Sequence, residues 1–481
     1  MALSGFAALA GYAVVAGAAH PAGAGATMVA ALYAGFALAC VRHPYLFVAV
    51  DLLAVIVPPP FYIPAASATQ SAIPVFAPIL LLPAGMAVLL LRYPDLTLGQ
   101  GGKHSPDILL RGLVVFMFAL LPSIAFAFWL SGAAVGAQSL LHWLVLAQII
   151  PVYVLARAPA PASWLRQALA PLVMGAALVA ALYGIVDFIH PLNPIHPSGD
   201  EFIWLGGALL RRAQGFFYEA SNFANFCTLL LLLSAAAFLA RREDEIGLRA
   251  AWGLASAAVF SVAAFLSFSR NAWGGALVGV VIFVWLARPV RWSGMWALTG
   301  VLALPLVLTW VLSPGLWGYF LHRRISSLGL LLSDPYAATS GRVATWEHLR
   351  TILLSRPGLL VFGVGYKTLG ITRLFHTPIT TDNGYLSLLA ETGCAGLLGY
   401  AVLSISVLRQ ARRLLGQAQA RFWGAFLAAA WGAELVEMLA VDAQTYWRGL
   451  LVLLTLAAWA QSRAEAAARQ RPDDPRGRPP C

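Results

Sequence analysis

Charge is scarce in this sequence. Asp, Glu, Lys and Arg make up 11% of the 481 residues, 60% are hydrophobic, and the mean hydropathy is +0.78. A soluble domain carries about a quarter charged residues, so this composition excludes a soluble globular protein and indicates a polytopic membrane protein. Cysteine is scarce too. Cys40, Cys227, Cys394 and Cys481 lie in different segments and form no CxxC pair, so neither a disulfide framework nor a zinc site is indicated. No metal or cofactor is expected. No basic residue precedes Arg42, so the start lacks the basic region of a signal peptide and cleavage is not expected. No internal repeat is visible. The net charge of +11 raises nucleic acid as a partner, but the basic residues are spread through short connections between apolar runs. Membrane orientation explains that better, and no nucleic-acid partner is expected.

What the chain has in abundance is apolar runs long enough to span a bilayer. They begin near Leu3, Gly25, Tyr45, Ala72, Leu109, Ala137, Gln167, Tyr218, Ala250, Asn271, Met295, Asn383, Arg421 and Gln444. The fold class predicted is an all-α polytopic membrane protein with about 12–14 transmembrane helices. With a cytoplasmic N-terminus, 20 of the 31 Lys and Arg residues face inward, as the positive-inside rule requires. Residues 1–461 read as one membrane domain. Residues 462–481, Arg/Ala/Pro-rich, read as a disordered cytoplasmic tail. Within the membrane domain, residues 314–382 form a long outward loop, too long for a mere connection and expected to carry short helices. Gly341 to Leu354 has helical spacing of apolar residues.

Polar residues at the ends of the runs carry the chemistry. Arg270 sits in Phe268-Ser269-Arg270-Asn271, a polar notch between two apolar runs. An ionisable residue there is a functional candidate, the alternative being a side chain that reaches to headgroup phosphates. Arg212 precedes Gly215, Phe217, Glu219, Ser221 and Asn222. Ser221 or Asn222 is suited to cap the next helix, and its free N–H groups with Arg212 make an anion site; the plain alternative is a cap with an Arg212–Glu219 ion pair. Ser340-Gly341-Arg342 leads through Trp346 to Gly363-Val364-Gly365-Tyr366 and Asp382-Asn383-Gly384-Tyr385. The glycines permit a tight turn with N–H groups facing a ligand, or simply a turn. Glu434 and Glu437 share one helix face, and are read as holding the arginines or a polar acceptor, or as pairing with Arg448. Asp51 and Asp187 have no evident partner.

Taken in order from Arg212 to Gly396, the Arg212…Ser221-Asn222-Phe223-Ala224 segment, the Ser269-Arg270 helix start, Ser340-Gly341-Arg342…Trp346 and Asp382-Asn383…Gly393-x-x-Gly396 resemble the O-antigen ligase and polysaccharide polymerase superfamily. The resemblance implies transfer of a glycan from an undecaprenyl pyrophosphate carrier to an acceptor hydroxyl at the periplasmic face of the bacterial inner membrane, with no nucleotide sugar and no metal. It implies a pyrophosphate site of Arg212, Arg270 and Arg342, supported by Ser221, Asn222, Ser269, Gly363, Gly365 and Asn383. Ligases of the family carry a histidine directly before the Asn, whereas this chain has Asp382, and His376 is out of register. The Glu219-Ala220-Ser221 string resembles the Glu-Pro-Ser variant of polymerase-like members. Both departures favour a polymerase over a lipid A core ligase, with Asp382 and Glu219 as proton acceptors and His348 behind them. The implied partners are the lipid-linked oligosaccharide, a glycan or lipid acceptor, membrane lipids and a chain-length regulator. A lipid-linked oligosaccharide flippase is the alternative of another class, disfavoured by charge gathered at one face and by the lack of a repeat.

Overall fold

A computed structural model describes residues 33–57, 61–64, 72–75, 77–98, 107–157, 163–190, 201–205, 208–217, 219–239, 250–287, 292–312, 342–372, 374–375, 379, 381–418, 420–441 and 447–469. Its helices in chain order are α1 (Tyr33–Arg42), α2 (Pro44–Ile56), α3 (Ala77–Leu98), α4 (Ile108–Ser131), α5 (Ala133–Ala147), α6 (Ile149–Arg157), α7 (Ser163–Ile189), α8 (Ala220–Leu239), α9 (Ala250–Leu266), α10 (Arg270–Leu286), α11 (Trp292–Leu312), α12 (Arg342–Ser355), α13 (Pro357–Phe362), α14 (Gly384–Leu415), α15 (Arg421–Glu437) and α16 (Trp447–Arg469). Two antiparallel hairpins interrupt them: β1 (Phe61–Pro64) with β2 (Ala72–Val75), and β3 (Phe202–Leu205) with β4 (Ala208–Arg211). Among the described residues, six helical spans are long and apolar enough to cross a membrane. The protein is an all-α polytopic membrane protein.

Local chemistry sets the helix ends. Asp107 accepts the Leu110 N–H at 3.0 Å and starts α4, and Asn383 accepts the Leu386 N–H at 2.9 Å and starts α14. The expected starts near Leu109, Ala250, Asn271 and Asn383 fall within a residue of helices found. The run expected from Ala72 begins as a strand, and its helix starts at Ala77. The first run and the start of the second lie outside the described residues. At the other terminus, α16 continues to Arg469, past the boundary expected at Gln461.

Small residues let the central helices close on one another. α10 lies along α15 and α8, where a Cβ at Gly279 would meet the Leu232 side chain and the Ala429 carbonyl. Gly275 faces Glu437, while Gly274 has open space, so of that expected glycine pair Gly275 makes the close approach.

The described part of the long loop folds as expected into short helices, α12 and α13. Leu349, Leu353, Leu359, Val364, Leu369, Ile379 and Ala390 form a small core of their own, which Phe126 and Leu130 of α4 join. This cap is seated on a break in α14. Gly393 has φ +65° and ψ −168° inside the helix, and a Cβ there would strike the Val361 carbonyl. Gly363, with φ +72°, stands as closely against the backbone of Glu391. Only glycine tolerates both the conformation and the contact.

Candidate functional site

Helix ends from distant parts of the sequence meet at one end of the bundle. Arg212, just after β4, donates from Nε to the Ser267 carbonyl at 2.8 Å, from Nη1 to Glu201 Oε2 at 3.0 Å and from Nη2 to Ser221 Oγ at 3.1 Å. Ser267 leads into Ser269 and Arg270, the first residue of α10. Arg270 lies close enough to Arg342, the first residue of α12, for the second charge to act on it. Arg342 Nε bonds Asp382 Oδ2 at 3.1 Å. Beyond Asp382, Asn383 Nδ2 donates to the Leu439 carbonyl at 3.1 Å, and Asn271 Nδ2 donates to the Ala440 carbonyl at 3.0 Å. Asn271 adjoins Arg270, so Arg270, Arg342 and Asp382 stand in one ring of neighbouring groups, which Arg212 joins from the side through Ser267.

The ring is assembled against electrostatic preference. Helix N-termini carry partial positive charge, yet Arg270 opens α10 and Arg342 opens α12. The α10 N-cap, Ser269, makes no side-chain capping bond. Two guanidinium groups and two helix N-termini in one place repel each other, and an anion relieves that repulsion. Planar guanidinium forks suit phosphate oxygens in particular. The chemistry of the donor set is anion binding.

Several sequence expectations are corrected by the contacts. Arg212 pairs with Glu201, the residue that precedes β3, and not with Glu219. Neither Ser221 nor Asn222 caps α8. The Ala220 N–H donates to Glu201 Oε2 at 3.2 Å, Ser221 receives Arg212, and the Asn222 Oδ1 atom is buried without a hydrogen-bond partner. Burial pushes the Glu201 carboxyl above its ordinary range, outweighing the opposite pull of Arg212 and the Ala220 N–H. The turn at Gly363 and Gly365 does not offer its N–H groups to a ligand. The Gly363 N–H goes to the Leu359 carbonyl, Val364 to Ala390, Gly365 to Glu391, and Lys367 to the Glu391 side chain. The plain-turn reading therefore holds, with docking onto the α14 break as the turn's purpose.

Asp382 adopts φ +46°, a left-handed conformation that Asp tolerates better than most residues. That places its carboxylate on Arg342 while Asn383 caps α14. Glu219 is half-buried just before α8, and its carbonyl accepts the Phe223 N–H. His348 is exposed on α12. Ser340, Gly341 and His376 lie outside the described residues.

Glu434 and Glu437 do not pair with Arg448, which lies with its guanidinium 4.6 Å from the Phe217 ring centroid. Both carboxyl groups take Asn225 Nδ2, at 2.8 and 3.1 Å. The partners unseen in the sequence are Gln148 for Asp51 and Arg211 for Asp187. Sequence reasoning left Glu201, Asn225 and Asn271 out of the site. Asn225 did carry a signal, a polar amide in an otherwise apolar helix; Glu201 carried none.

Residues 255–401 match the family described as O-Antigen ligase. That stretch takes in Arg270, Arg342, Asp382 and the Gly393 break, and leaves out Arg212. Over that stretch the match supports the resemblance to the O-antigen ligase and polymerase superfamily. No curated protein matches the chain. A ligase- or polymerase-type membrane enzyme that transfers glycan is the activity class this supports.

Proposed function

We propose that the protein is a polysaccharide polymerase that extends a glycan carried on undecaprenyl pyrophosphate, at the periplasmic face of the bacterial inner membrane, with both termini cytoplasmic. The observation that carries this reading is the pairing of Arg270 and Arg342 at two helix N-termini. Such a cradle suits a pyrophosphate better than a neutral sugar. In the reaction the bond from the anomeric carbon to the pyrophosphate oxygen breaks, and its electron pair leaves on that oxygen. The acceptor hydroxyl oxygen forms the new bond to the anomeric carbon, and its proton passes to a base. Arg270, Arg342 and Arg212 stabilise the departing pyrophosphate. Asp382 holds the Arg342 fork in register, and Glu219 is the candidate to take the proton.

The capsule, O-antigen or exopolysaccharide made this way needs a lipid-linked donor, a glycan acceptor and a chain-length regulator as partners. Ligation to lipid A core is the second reading, supported by the description of the matching family. The test is full-length protein in vesicles with lipid-linked repeat units and a lipid A core acceptor. A ladder of carrier-bound lengths is expected. Label appearing only on the lipid A core would replace the polymerase with a ligase. Units that cross the bilayer without being joined would show transport instead.

A further inference from the structure

Just beneath the arginine ring lies a narrow cavity lined by Asn225, Thr228, Ala433, Glu434, Glu437 and Gly449 among others. Its two acids differ in setting. Glu437 is 1% exposed and leaves Oε1 without a hydrogen-bond partner, whereas Glu434 is half-buried. One amide serves both carboxyl groups. No ion pair engages Glu434 among the described residues. Asp382 and Glu201, by contrast, are each held by a guanidinium.

Three helices fix its place relative to the ring. On α8, Asn225 lies four residues beyond Ser221, which receives Arg212, a depth of about 6 Å at the helical rise. On α10, Gly275 against Glu437 lies five residues beyond Arg270, about 7–8 Å. On α14, the Tyr385 hydroxyl donates at 2.9 Å to the carbonyl of Leu435, the residue next to Glu434. Reacting atoms approach to about 3–3.5 Å, and a base stands about 3 Å from the oxygen it deprotonates. A base for this transfer therefore sits about 6 Å from the anomeric carbon, on the side away from the leaving pyrophosphate. The leaving oxygen and its phosphate lie between that carbon and the guanidinium groups, so the base stands deeper than the arginines, the direction in which Glu434 lies.

We propose that Glu434 is the catalytic base, taking the proton of the acceptor hydroxyl as its oxygen bonds to the anomeric carbon and the pyrophosphate leaves onto the arginines. Glu437 and Asn225 are positioning residues that hold its carboxylate in the cavity. This inference rests on the proposed glycosyl transfer, and it moves the proton from Glu219 to Glu434. The experiment uses full-length protein in vesicles with the lipid-linked repeat unit. Glu434→Gln is expected to lower the joining rate about 100-fold or more with donor binding unchanged. Glu434→Gly is expected to regain activity on addition of formate, which replaces the lost carboxylate. Glu434→Asp, with its carboxylate drawn back by one methylene, is expected to lose less than Glu434→Gln while binding donor normally. Wild-type rates in Glu434→Gln, or a folded, donor-binding Glu434→Gly that formate does not restore, would overturn the proposal. Equal loss of donor binding in the Gln and Asp variants would overturn it too, in favour of a purely structural carboxylate. A wild-type protein that joins nothing would remove the glycosyl-transfer reading itself, so the two failures are read separately.

Discussion

At one end of the bundle Arg157 is enclosed by acids. It pairs with Asp107 and, at 2.7 Å, with Glu465, while the Tyr153 hydroxyl donates to Asp107 and Gln461 Nε2 donates to Glu465. α16 links the two ends, since Arg448 near its start and Glu465 are 17 residues, or about 26 Å, apart along the helix. At the far end Arg270 and Arg342 open two helices within electrostatic reach of one another, and Asp382 is bonded to Arg342. A cluster with two acids on one cation is complete without a ligand and fastens α4, α6 and α16 together. A cluster whose cations repel each other is completed by an anion. Both ends contain arginines at helix termini, so it is the surrounding partners that separate structure from site.

Breaking the site end is expected to produce the largest effect. Arg270→Ala should lower glycan joining about 100- to 1000-fold, the range seen when one stabilising donor is removed, with little change in melting temperature. Arg270→Lys keeps the charge and loses the fork, and should fall between the two. Joining assays in vesicles measure both. Full activity of the lysine variant would reduce Arg270 to a headgroup anchor and erase the contrast with Arg157.

The opposite outcome is expected at Arg157. Arg157→Ala leaves Asp107 and Glu465 without their cation and should cost about 1–3 kcal/mol of stability. Thermal melting of the detergent-solubilised protein reads this directly. Donor affinity in the protein that remains folded should be unchanged; a large loss of affinity would mean that the two ends are coupled through α16.

The cap sharpens the same contrast, because it reaches the site through Arg342 at the start of α12 and through the segment at Thr381 and Asp382. Trp346 Nε1 donates to the Thr381 carbonyl at 2.6 Å, next to Asp382. Gly363→Ala drives a Cβ into the Glu391 backbone, and relief of such a clash costs about 1–3 kcal/mol. Protease sensitivity of residues 342–372 is expected to rise with only a several-fold loss of joining. Unchanged proteolysis would show that the cap is not held by this contact.

Much of the architecture was legible because it is written locally. Apolar length marks the spans, and Asn383 announces the start of α14 through its own side chain. The long loop showed helical spacing before Ser355, and α12 is there. What was not legible depends on which backbones meet. Nothing near Gly393 in the sequence says that α14 breaks there, because the break exists to receive Val361 and Gly363 from another segment. The same holds for Arg212. Glu219 is closer in sequence, but the β3–β4 hairpin folds Glu201 onto it, pairing Phe202 with Arg211. Asp382 read as a base from its register beside Asn383, and only the fold brings Arg342 onto it.

The smallest expected effect concerns Glu201, which joins the arginine ring through Arg212. Its carboxyl is held above the ordinary value of 4.5 chiefly by burial, so the folded chain binds this proton more readily than the unfolded chain does. A raised carboxyl contributes stability that is fully present below 4.5 and is lost as pH rises through the folded value. On this account the wild type gains stability relative to Glu201→Gln as pH falls from neutral toward 4.5. The gain should be the smallest of the effects considered, because the pull of Arg212 and the Ala220 N–H opposes the effect of burial. Arg157 and its acids supply the control, since Arg157→Ala should leave this pH-dependent difference in place. Melting curves of the two proteins between neutral pH and 4.5 measure it. Parallel curves would show that Glu201 stays ionised throughout, so that Arg212 is as firmly neutralised as Arg157. The ring would then have one arginine fewer to offer an anion.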